Sequence, residues 1–218
     1  MLRRLVTGLV FAATAAAVVY SPLGRRSGGH LNPSVTVGFA YLGKLHWWGT
    51  VLYVASQLAG AVLAAAVVLA TWGGWARTVH DGATVPGHWG AAGAFAAELT
   101  FTFLLVSLIL HFVNHPKLMR FTPVAAGLLV STVVVIEAPL SNTSLNPARS
   151  LGPALVGGVV SSLWIYLLAP PVGGLLAASY FRRKHGDPPC AKLIHPDGVR
   201  CNFAHCAYQP PGAEPITM

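Results

Sequence analysis

Five long apolar stretches dominate this chain of 218 residues, and each carries at most one charged side chain. They cover residues 5–23, 50–76, 95–113, 121–140 and 156–181. Crossing the hydrocarbon core of a bilayer takes roughly 20 apolar residues in a helix, so each stretch is long enough to span it. Only 9% of the residues are charged, whereas soluble domains carry about a quarter. The sequence therefore predicts an all-α membrane protein with five full spans.

Two shorter apolar stretches each begin with Asn-Pro. Residues 27–35 read SGGHLNPSV and residues 143–149 read TSLNPAR. The runs that follow, 32–42 and 146–157, are too short to cross a bilayer and are typical of re-entrant segments. Asn is a favoured N-cap and Pro fits the first helical turn, so each run is predicted to be a half-helix that starts near the membrane centre. Interrupted segments at opposite ends of the two halves of a chain are the pattern of inverted repeats.

Basic residues orient the predicted spans, because cytoplasmic loops carry an excess of Lys and Arg. Ten of the fourteen fall inside if the tail is cytoplasmic: Arg25, Arg26, Lys44, Lys117, Arg120, Arg182, Arg183, Lys184, Lys192 and Arg200. The other four are Arg3, Arg4, Arg77 and Arg149. The net charge of +8 is thus a topology signal and an attraction to anionic lipid, and it requires no nucleic acid. The basic start of the first stretch also fits a secretory signal, although its apolar run is long enough to favour a span.

The chain resembles the aquaporin superfamily, the major intrinsic proteins, at several motifs in the same order. SGGHLNPSVTVG and NTSLNPARSLGPA resemble its two signature loops, and YVASQLAGAVLA and AAELTFTFLLV resemble its third and fourth spans. The resemblance covers residues 7–181. It implies a bundle of six spans and two half-helices, usually a homotetramer with one pore per protomer. It also implies passive passage of water or small neutral solutes, excluding protons and ions, without catalysis and without a cofactor.

The resemblance assigns the roles of the family's pore residues to particular residues of this chain. Asn32 and Asn146 match the two pore asparagines, whose amides donate hydrogen bonds to the permeating oxygen. Arg149 matches the arginine of the outer constriction, and a guanidinium there hydrogen-bonds solute and repels cations. The non-helical strands whose carbonyls form a ladder of acceptors match Gly28, Gly29, His30, Leu31, Asn142 and Ser144. For His30, a packing role and a pore-lining role are equally supported.

The outer constriction of the family corresponds here to Phe11 (or Ala12), Val134, Thr143 and Arg149. Strict water channels have His where Val134 falls, and the smaller apolar side chain predicts a wider and less hydrophilic opening. Ser150 follows the arginine, as in water channels, whereas glycerol channels have Asp there. The balance favours water, and passage of a small neutral solute such as glycerol stays open.

Two carboxylates lie within the predicted spans, where a charge is costly unless it faces the interior of the bundle. Glu98 matches a family glutamate that hydrogen-bonds the backbone of a signature loop, so we predict that it supports residues 142–146. Glu137 shares a helical face with Val134 near the outer mouth. We expect Glu137 to be solvated there, and the less favoured alternative is an ion pair with Arg149.

The family's first span, with a glutamate equivalent to Glu98, has no counterpart in these residues. Arg3 and Arg4 then belong to an outer loop that follows such a span. Either the start of the protein lies upstream, or the half-helix after Asn32 loses a neighbour. The alternative function is therefore a non-conducting homologue that serves as a structural or metal-sensing membrane protein.

The predicted channel domain covers residues 1–181 of a multi-pass protein of the cell membrane, and residues 182–218 form a cytoplasmic tail. The tail is polar and holds all three cysteines of the chain. Its candidate ligands for zinc or another soft metal are Cys190, His195, Cys201, His205 and Cys206. Their spacings match no familiar zinc motif. A flexible tail with reduced thiols is the alternative, because the cytoplasm disfavours disulfides.

Overall fold

The computed structural model describes residues 1–195 and 201–208, and these residues form helices and no strand. In chain order the helices are α1 (Leu2–Tyr20), α2 (Pro22–Ser27), α3 (Pro33–Tyr41), α4 (Trp47–Trp72), α5 (Gly74–Arg77), α6 (Gly90–Val113), α7 (Pro116–Met119), α8 (Thr122–Ser141), α9 (Pro147–Gly157) and α10 (Leu163–His185). Helices α1, α4, α6, α8 and α10 are long and apolar enough to cross a membrane. The predicted fold class, five spans and two half-helices, is confirmed. Arg200 lies outside the described residues.

The boundary between α9 and α10 differs from the prediction. Residues 156–181 form one apolar run in the sequence, yet Gly158 ends α9 in the left-handed conformation at φ 72°. Glycine adopts this conformation without steric cost, so it ends a helix even where hydrophobicity continues. Helix α10 therefore starts at Leu163, and it continues past the predicted domain boundary at residue 181 to His185.

Small residues let the long helices approach closely in two pairs. Helix α1 lies along α8, where a Cβ added to Gly127 would lie 3.0 Å from the Cβ of Ala12. Helix α6 lies along α10, where a Cβ added to Gly173 would overlap the carbonyl oxygen of Leu99. Close backbone approach through small residues is the usual way in which helices pack in lipid. These two pairs frame the space in which the half-helices lie.

Each half-helix packs against a long helix from the other half of the chain. Helix α3 lies against α10, where Gly174 faces the backbone of Ser34. Helix α9 lies against α4, where Gly152 faces the backbone of Ala61. In this arrangement α1, α3 and α4 of the first half correspond in order to α8, α9 and α10 of the second half, as expected for inverted repeats. It brings the N-termini of α3 and α9 together inside the bundle.

The two halves of the bundle are not equally covered. Helices α6 and α10 each bury nine residues, whereas α4 buries none. Among the described residues, α6 covers α10, but no helix covers α4 in the same way. The side of α4 that faces the first Asn-Pro step is therefore open to a cavity.

Basic residues from separate parts of the chain meet at one end of the bundle. Lys192 Nζ in the tail donates to the carbonyl of Arg25, 3.2 Å away. Lys44 Nζ, between α3 and α4, donates to the carbonyl of His205, 3.0 Å away. The described part of the tail is thus packed against the membrane domain rather than extended away from it. We call this end of the bundle, which carries Arg25, Lys44 and Lys192, the basic face.

Candidate functional site

Two asparagines cap the half-helices with their own side chains. Asn32 Oδ1 accepts a hydrogen bond from the backbone N–H of Ser34 at 2.9 Å. Asn146 Oδ1 accepts one from the N–H of Ala148 at 3.0 Å. Both asparagines have extended backbone conformations, and a proline opens each helix. The caps follow from local chemistry, because Asn satisfies the free N–H groups of a first turn and Pro lacks one.

The same two asparagines join the half-helices to each other. Asn32 Nδ2 donates to the carbonyl of Leu145 at 2.7 Å, and Asn146 Nδ2 donates to the carbonyl of Leu31 at 3.0 Å. A carboxamide has two N–H donors, and the second donor of each amide has no protein partner among the described residues. Each asparagine thus offers one further donor inside the bundle.

The non-helical segments before the two asparagines share an unusual backbone conformation. We call residues 28–31 the first strand and residues 142–145 the second strand, although neither is a β-strand. Gly28 and Gly29 have φ values of 83° and 76°, and the matching residues Asn142 and Thr143 have 61° and 55°. Glycine adopts such values freely, but Asn and Thr do so at a cost, so surrounding contacts must hold the second strand. The two repeats therefore share positive backbone φ angles at matching positions as well as the order of their helices.

Glu98 supplies the contacts that hold the second strand. Its side chain is fully buried in α6, and its two oxygens accept from the backbone N–H groups of Ser144 at 2.7 Å and Leu145 at 2.6 Å. Ser141 Oγ lies 2.8 Å from the same carboxylate. A buried carboxylate that accepts several N–H bonds satisfies groups that would otherwise stay unpaired in a dry interior.

The expectation that Glu137 is solvated is wrong. Its side chain is fully buried, and Oε1 lies 2.9 Å from Ser141 Oγ, next to the Glu98 contact. The helical register placed Glu137 correctly on the face of Val134, but it does not reveal which element covers that face. In the structure α6 packs against this part of α8 and shields the carboxyl from solvent.

The ring of His30, in the first strand, packs between α3 and the tail. Its ring is buried, stacks on Phe39 at 5.2 Å between ring centroids, and lies 5.4 Å from the ring of Phe203. Nε2 lies 2.8 Å from the carbonyl of Ala191, so this nitrogen carries the proton of the bond. These contacts favour the packing role among the two left open.

Gln57 on α4 is a site residue that the sequence reasoning missed. Its Nε2 donates to the carbonyl of His30 at 2.7 Å and to Thr36 Oγ1 at 3.0 Å. It thus supports the first strand from the side, as Glu98 supports the second. Its place in the apolar run of α4 was the available signal, because a polar amide within a span usually has a partner.

Arg149 projects from the first turn of α9 towards the end of the bundle opposite the basic face. Its Nη1 donates to the carbonyl of Gly82 at 2.7 Å, in the loop between α5 and α6. Thr84 Oγ1 in the same loop donates to Ser150 Oγ at 2.7 Å. The loop therefore holds the guanidinium of Arg149 in place through the carbonyl of Gly82. The sequence pattern did not indicate this role for residues 78–89.

Two cavities meet at Asn146. The larger, about 620 Å³, runs beside α4 and is lined among others by His30, Gln57, Asn146 and Arg149. The smaller, about 320 Å³, lies between α1, α6 and α8 and is lined by both Asn32 and Asn146. We call the smaller one the central cavity. Leu193 of the tail also lines it.

The structure separates the residues of the predicted constriction. Phe11 lines the central cavity, whereas its alternative, Ala12, packs against α8. Arg149 lines the larger cavity. Val134 is half-buried and Thr143 is buried, and neither lines a described cavity. The constriction assignment therefore stays a prediction for Val134 and Thr143.

Four of the five predicted metal ligands in the tail lie together. One ligand atom from each of Cys190, His195, Cys201 and Cys206 lies within 4.8 Å of the others. His205 is not part of this group, and its carbonyl instead accepts from Lys44. The hydrogen bond with Cys190 lowers the pKa of Cys201 to about 5, so the two thiols share a proton unevenly. These four residues fit a soft metal ion by their chemistry.

Comparisons with known proteins agree with this geometry. The chain is 39% identical over 195 residues to "Probable aquaporin NIP7-1" of Arabidopsis thaliana, covering 86% of this chain and 69% of the relative. It is 34% identical over 191 residues to "Aquaporin Z" of Bradyrhizobium diazoefficiens, covering 83% and 79%. The identity to "Aquaporin NIP1-4" of Oryza sativa subsp. japonica is 37% over 172 residues, covering 78% and 61%.

Among solved structures, the aquaglyceroporin from Plasmodium falciparum matches with a TM-score of 0.64, covering 83% of this chain and 93% of that chain. At 18% sequence identity this match shows the fold alone. The family model described as "Major intrinsic protein" matches residues 3–181. With both Asn-Pro half-helices, their reciprocal amide bonds and this match over most of its length, the chain belongs to the major intrinsic protein family.

Proposed function

We propose that the protein is a passive channel for water that also admits small neutral solutes such as glycerol and excludes protons and ions. The observation that carries the proposal is the reciprocal pair of hydrogen bonds, from Asn32 to Leu145 and from Asn146 to Leu31. Both asparagines line the central cavity, and each has one amide donor without a protein partner among the described residues, which supports the proposal. The relatives named aquaporins support the same function.

Water and protons are distinguished by the donors at the centre. A water molecule that accepts from Asn32 and Asn146 has its oxygen fixed and its hydrogens directed outwards, so the file of hydrogen bonds reverses there. A proton cannot hop through such a reversal. The N-termini of α3 and α9 also meet at this point, and their dipoles place positive potential where a cation would pass.

Arg149 adds a second barrier to cations. Its guanidinium is always charged, and the bond to Gly82 aims it from α9 towards the outer loop. By the resemblance, Val134 stands where strict water channels have histidine, and this smaller apolar residue supports the passage of glycerol-sized solutes. Transport by this route needs no cofactor and no catalytic step.

The central cavity offers a direct test in liposomes. Ala126 lines this cavity on α8, and Ala126→Trp is expected to fill it and abolish water flux in stopped-flow light scattering. Leu128 is 57% exposed on the same helix, so Leu128→Trp places the same bulk in lipid and should conduct like the unmodified protein. A pH dye inside the vesicles measures proton flux in the same experiment, and none is expected.

Wild-type flux no greater than that of empty vesicles, from protein verified as folded, would contradict the channel and favour the non-conducting alternative. Equal flux in Ala126→Trp and Leu128→Trp would show that water does not cross through the central cavity. Glycerol and urea gradients in the same vesicles define which neutral solutes pass.

We place the protein in the cell membrane with the basic face and the tail in the cytoplasm, assembled as a homotetramer. The clustering of Arg25, Lys44 and Lys192 on one face supports the orientation. The exposed apolar face of α4, which buries no residue within the described chain, supports contact with lipid or with neighbouring protomers. Chemical cross-linking in native membranes, resolved by mass, tests the tetramer.

A further inference from the structure

Three thiols and one imidazole converge in the tail with the dimensions of a tetrahedral metal site. Cys190 Sγ lies 3.5 Å from Cys201 Sγ, and Cys206 Sγ lies 3.4 Å from His195 Nε2. All four ligand atoms lie within 4.8 Å of one another. A tetrahedron with zinc–sulfur bonds of about 2.3 Å has edges of about 3.8 Å, which is close to these separations. The cluster needs only small adjustments to surround an ion.

The backbone around the cluster is arranged to stabilise thiolates. The N–H of Lys192 donates to Cys190 Sγ at 3.4 Å. Hydrogen bonds to ligand sulfurs orient them and favour the charged form that binds metal.

We propose that Cys190, His195, Cys201 and Cys206 bind one zinc ion, and that the bound ion holds the tail over the inner mouth of the channel. Three sulfurs and one nitrogen form a ligand set of structural zinc sites. Hard cations such as Mg²⁺ prefer oxygen ligands, which this cluster lacks. Cysteines bind zinc as thiolates, so the protons that they still carry are released to solvent as the sulfurs bond.

The ligands lie in two short segments, and each segment carries an apolar side chain that reaches the membrane domain. Leu193, between Cys190 and His195, lines the central cavity. Its backbone N–H donates to the carbonyl of Gly28 at 3.0 Å, in the first strand. Phe203, between Cys201 and Cys206, packs on His30 and Tyr53.

The ion therefore adds a strong link between two segments that the hydrogen bond from the N–H of Ala207 to the carbonyl of Pro189, 2.9 Å long, already joins. With both segments joined, Leu193 closes the cytoplasmic end of the central cavity. Its N–H also donates to the carbonyl of Gly28, so this carbonyl is not free to accept from a permeating water molecule. Without the ion, the tail keeps its hydrogen bonds to the membrane domain, such as those of Lys192 and Lys44, but loses the link at the cluster, and we expect Leu193 to leave the cavity more readily. This closure rests on the proposed channel function, whereas the zinc site does not.

Zinc content of the full-length protein tests the site. Protein purified in detergent under reducing conditions is expected to contain one zinc per chain by elemental mass spectrometry. Cys201→Ser should lose most of it, while His205→Ala should keep it, because His205 lies outside the cluster. Size-exclusion profiles verify that each variant is folded. Cobalt(II) exchanged into unmodified protein, which needs no variant, should show the visible absorption of a tetrahedral thiolate site.

Three results would overturn the zinc site. They are equal zinc in Cys201→Ser and wild type, an octahedral cobalt spectrum, and a Cys190–Cys201 disulfide in protein that was never exposed to an oxidant. The disulfide would consume two of the proposed ligands.

Water flux in liposomes tests the closure separately. Removing zinc with a membrane-permeant chelator is expected to raise water permeability several-fold, and adding zinc back should reverse the effect. Leu193→Ala should raise flux while zinc content stays at one per chain. Equal flux with and without zinc, at a level above empty vesicles, would overturn the closure. No flux in any state would contradict the proposed channel instead, and zinc content would still decide the metal site.

Discussion

At the scale of single residues, Ser141 lies between two buried carboxyl groups and determines how they share protons. Its hydroxyl has one hydrogen, yet Oγ lies 2.8 Å from Glu98 Oε1 and 2.9 Å from Glu137 Oε1. One of these contacts therefore needs a hydrogen from a carboxyl group. Both oxygens of Glu98 already accept from backbone N–H groups, so we assign that hydrogen to Glu137.

This assignment predicts different outcomes for two similar substitutions. In Glu98→Gln, the amide nitrogen faces a backbone N–H of Ser144 or Leu145, and one donor loses its acceptor. We expect a loss on the order of 2 kcal/mol of stability, because a buried donor stays unpaired. Glu137→Gln replaces a neutral group by another neutral group of the same shape and should change little. Thermal unfolding in detergent measures both.

Equal melting temperatures of the two variants would show that the second strand does not depend on Glu98. Glu98 could be identified from the sequence through the family motif in which it lies. Glu137 could not, because helical spacing gives the direction of a side chain and not the element that packs against it.

At the scale of elements, the half-helices owe their starting points to local chemistry. The side chain of Asn146 accepts from the N–H groups of Ala148 and Arg149, at 3.0 and 3.4 Å. The same side chain donates across the bundle to Leu31. Capping therefore uses the oxygen of the amide, and the contact between the two half-helices uses its nitrogen. A substitution that keeps one and removes the other separates the two roles.

Asn146→Ser keeps an acceptor for the cap but loses the amide donors, whereas Asn146→Ala loses both. Ser is about as good an N-cap as Asn, and Ala is worse by about 1 kcal/mol. We expect the melting temperature to fall in the order wild type, Ser, Ala, and proton leak to rise in both variants alike. Thermal unfolding and a pH dye in liposomes measure the two effects. Equal stability of the Ser and Ala variants would mean that the cap contributes nothing to the fold.

The lengths and types of the main elements could be predicted because the causes are local. A run of apolar residues specifies a span in lipid, and Asn-Pro specifies a helix start. The break at Gly158 shows the limit of this reasoning, because hydropathy alone does not separate α9 from α10.

At the scale of the whole molecule, the two ends of the bundle differ in charge. The basic face carries Arg25, Lys44 and Lys192, and the exposed residues Arg182, Arg183 and Lys184 end the last span. Arg77 is exposed at the opposite end, in the region of the loop that contacts Arg149. An excess of basic residues stays in the cytoplasm during insertion. The arrangement predicts one orientation in the membrane.

Limited trypsin digestion of sealed vesicles tests this orientation. We expect cleavage after Arg183 only in inverted vesicles and cleavage after Arg77 only in right-side-out vesicles, because trypsin does not cross the bilayer. Peptides identified by mass spectrometry distinguish the two. Cleavage after Arg183 from outside would reverse the topology and place the metal cluster away from the cytoplasm.

The sequence by itself determined the five spans, the two half-helices with their capping asparagines, and the family, since hydropathy, capping and motif order are properties of neighbouring residues. Only the tertiary structure decided which side chains meet across long separations. Gln57 donates to the carbonyl of His30, Glu98 contacts Ser141 from another helix beside the buried Glu137, and Leu193 of the tail lines the central cavity. The same holds for the tail, where four of five candidate ligands converge and His205 does not. Such contacts depend on how helices pack and how connecting segments close, and a one-dimensional pattern does not contain that geometry.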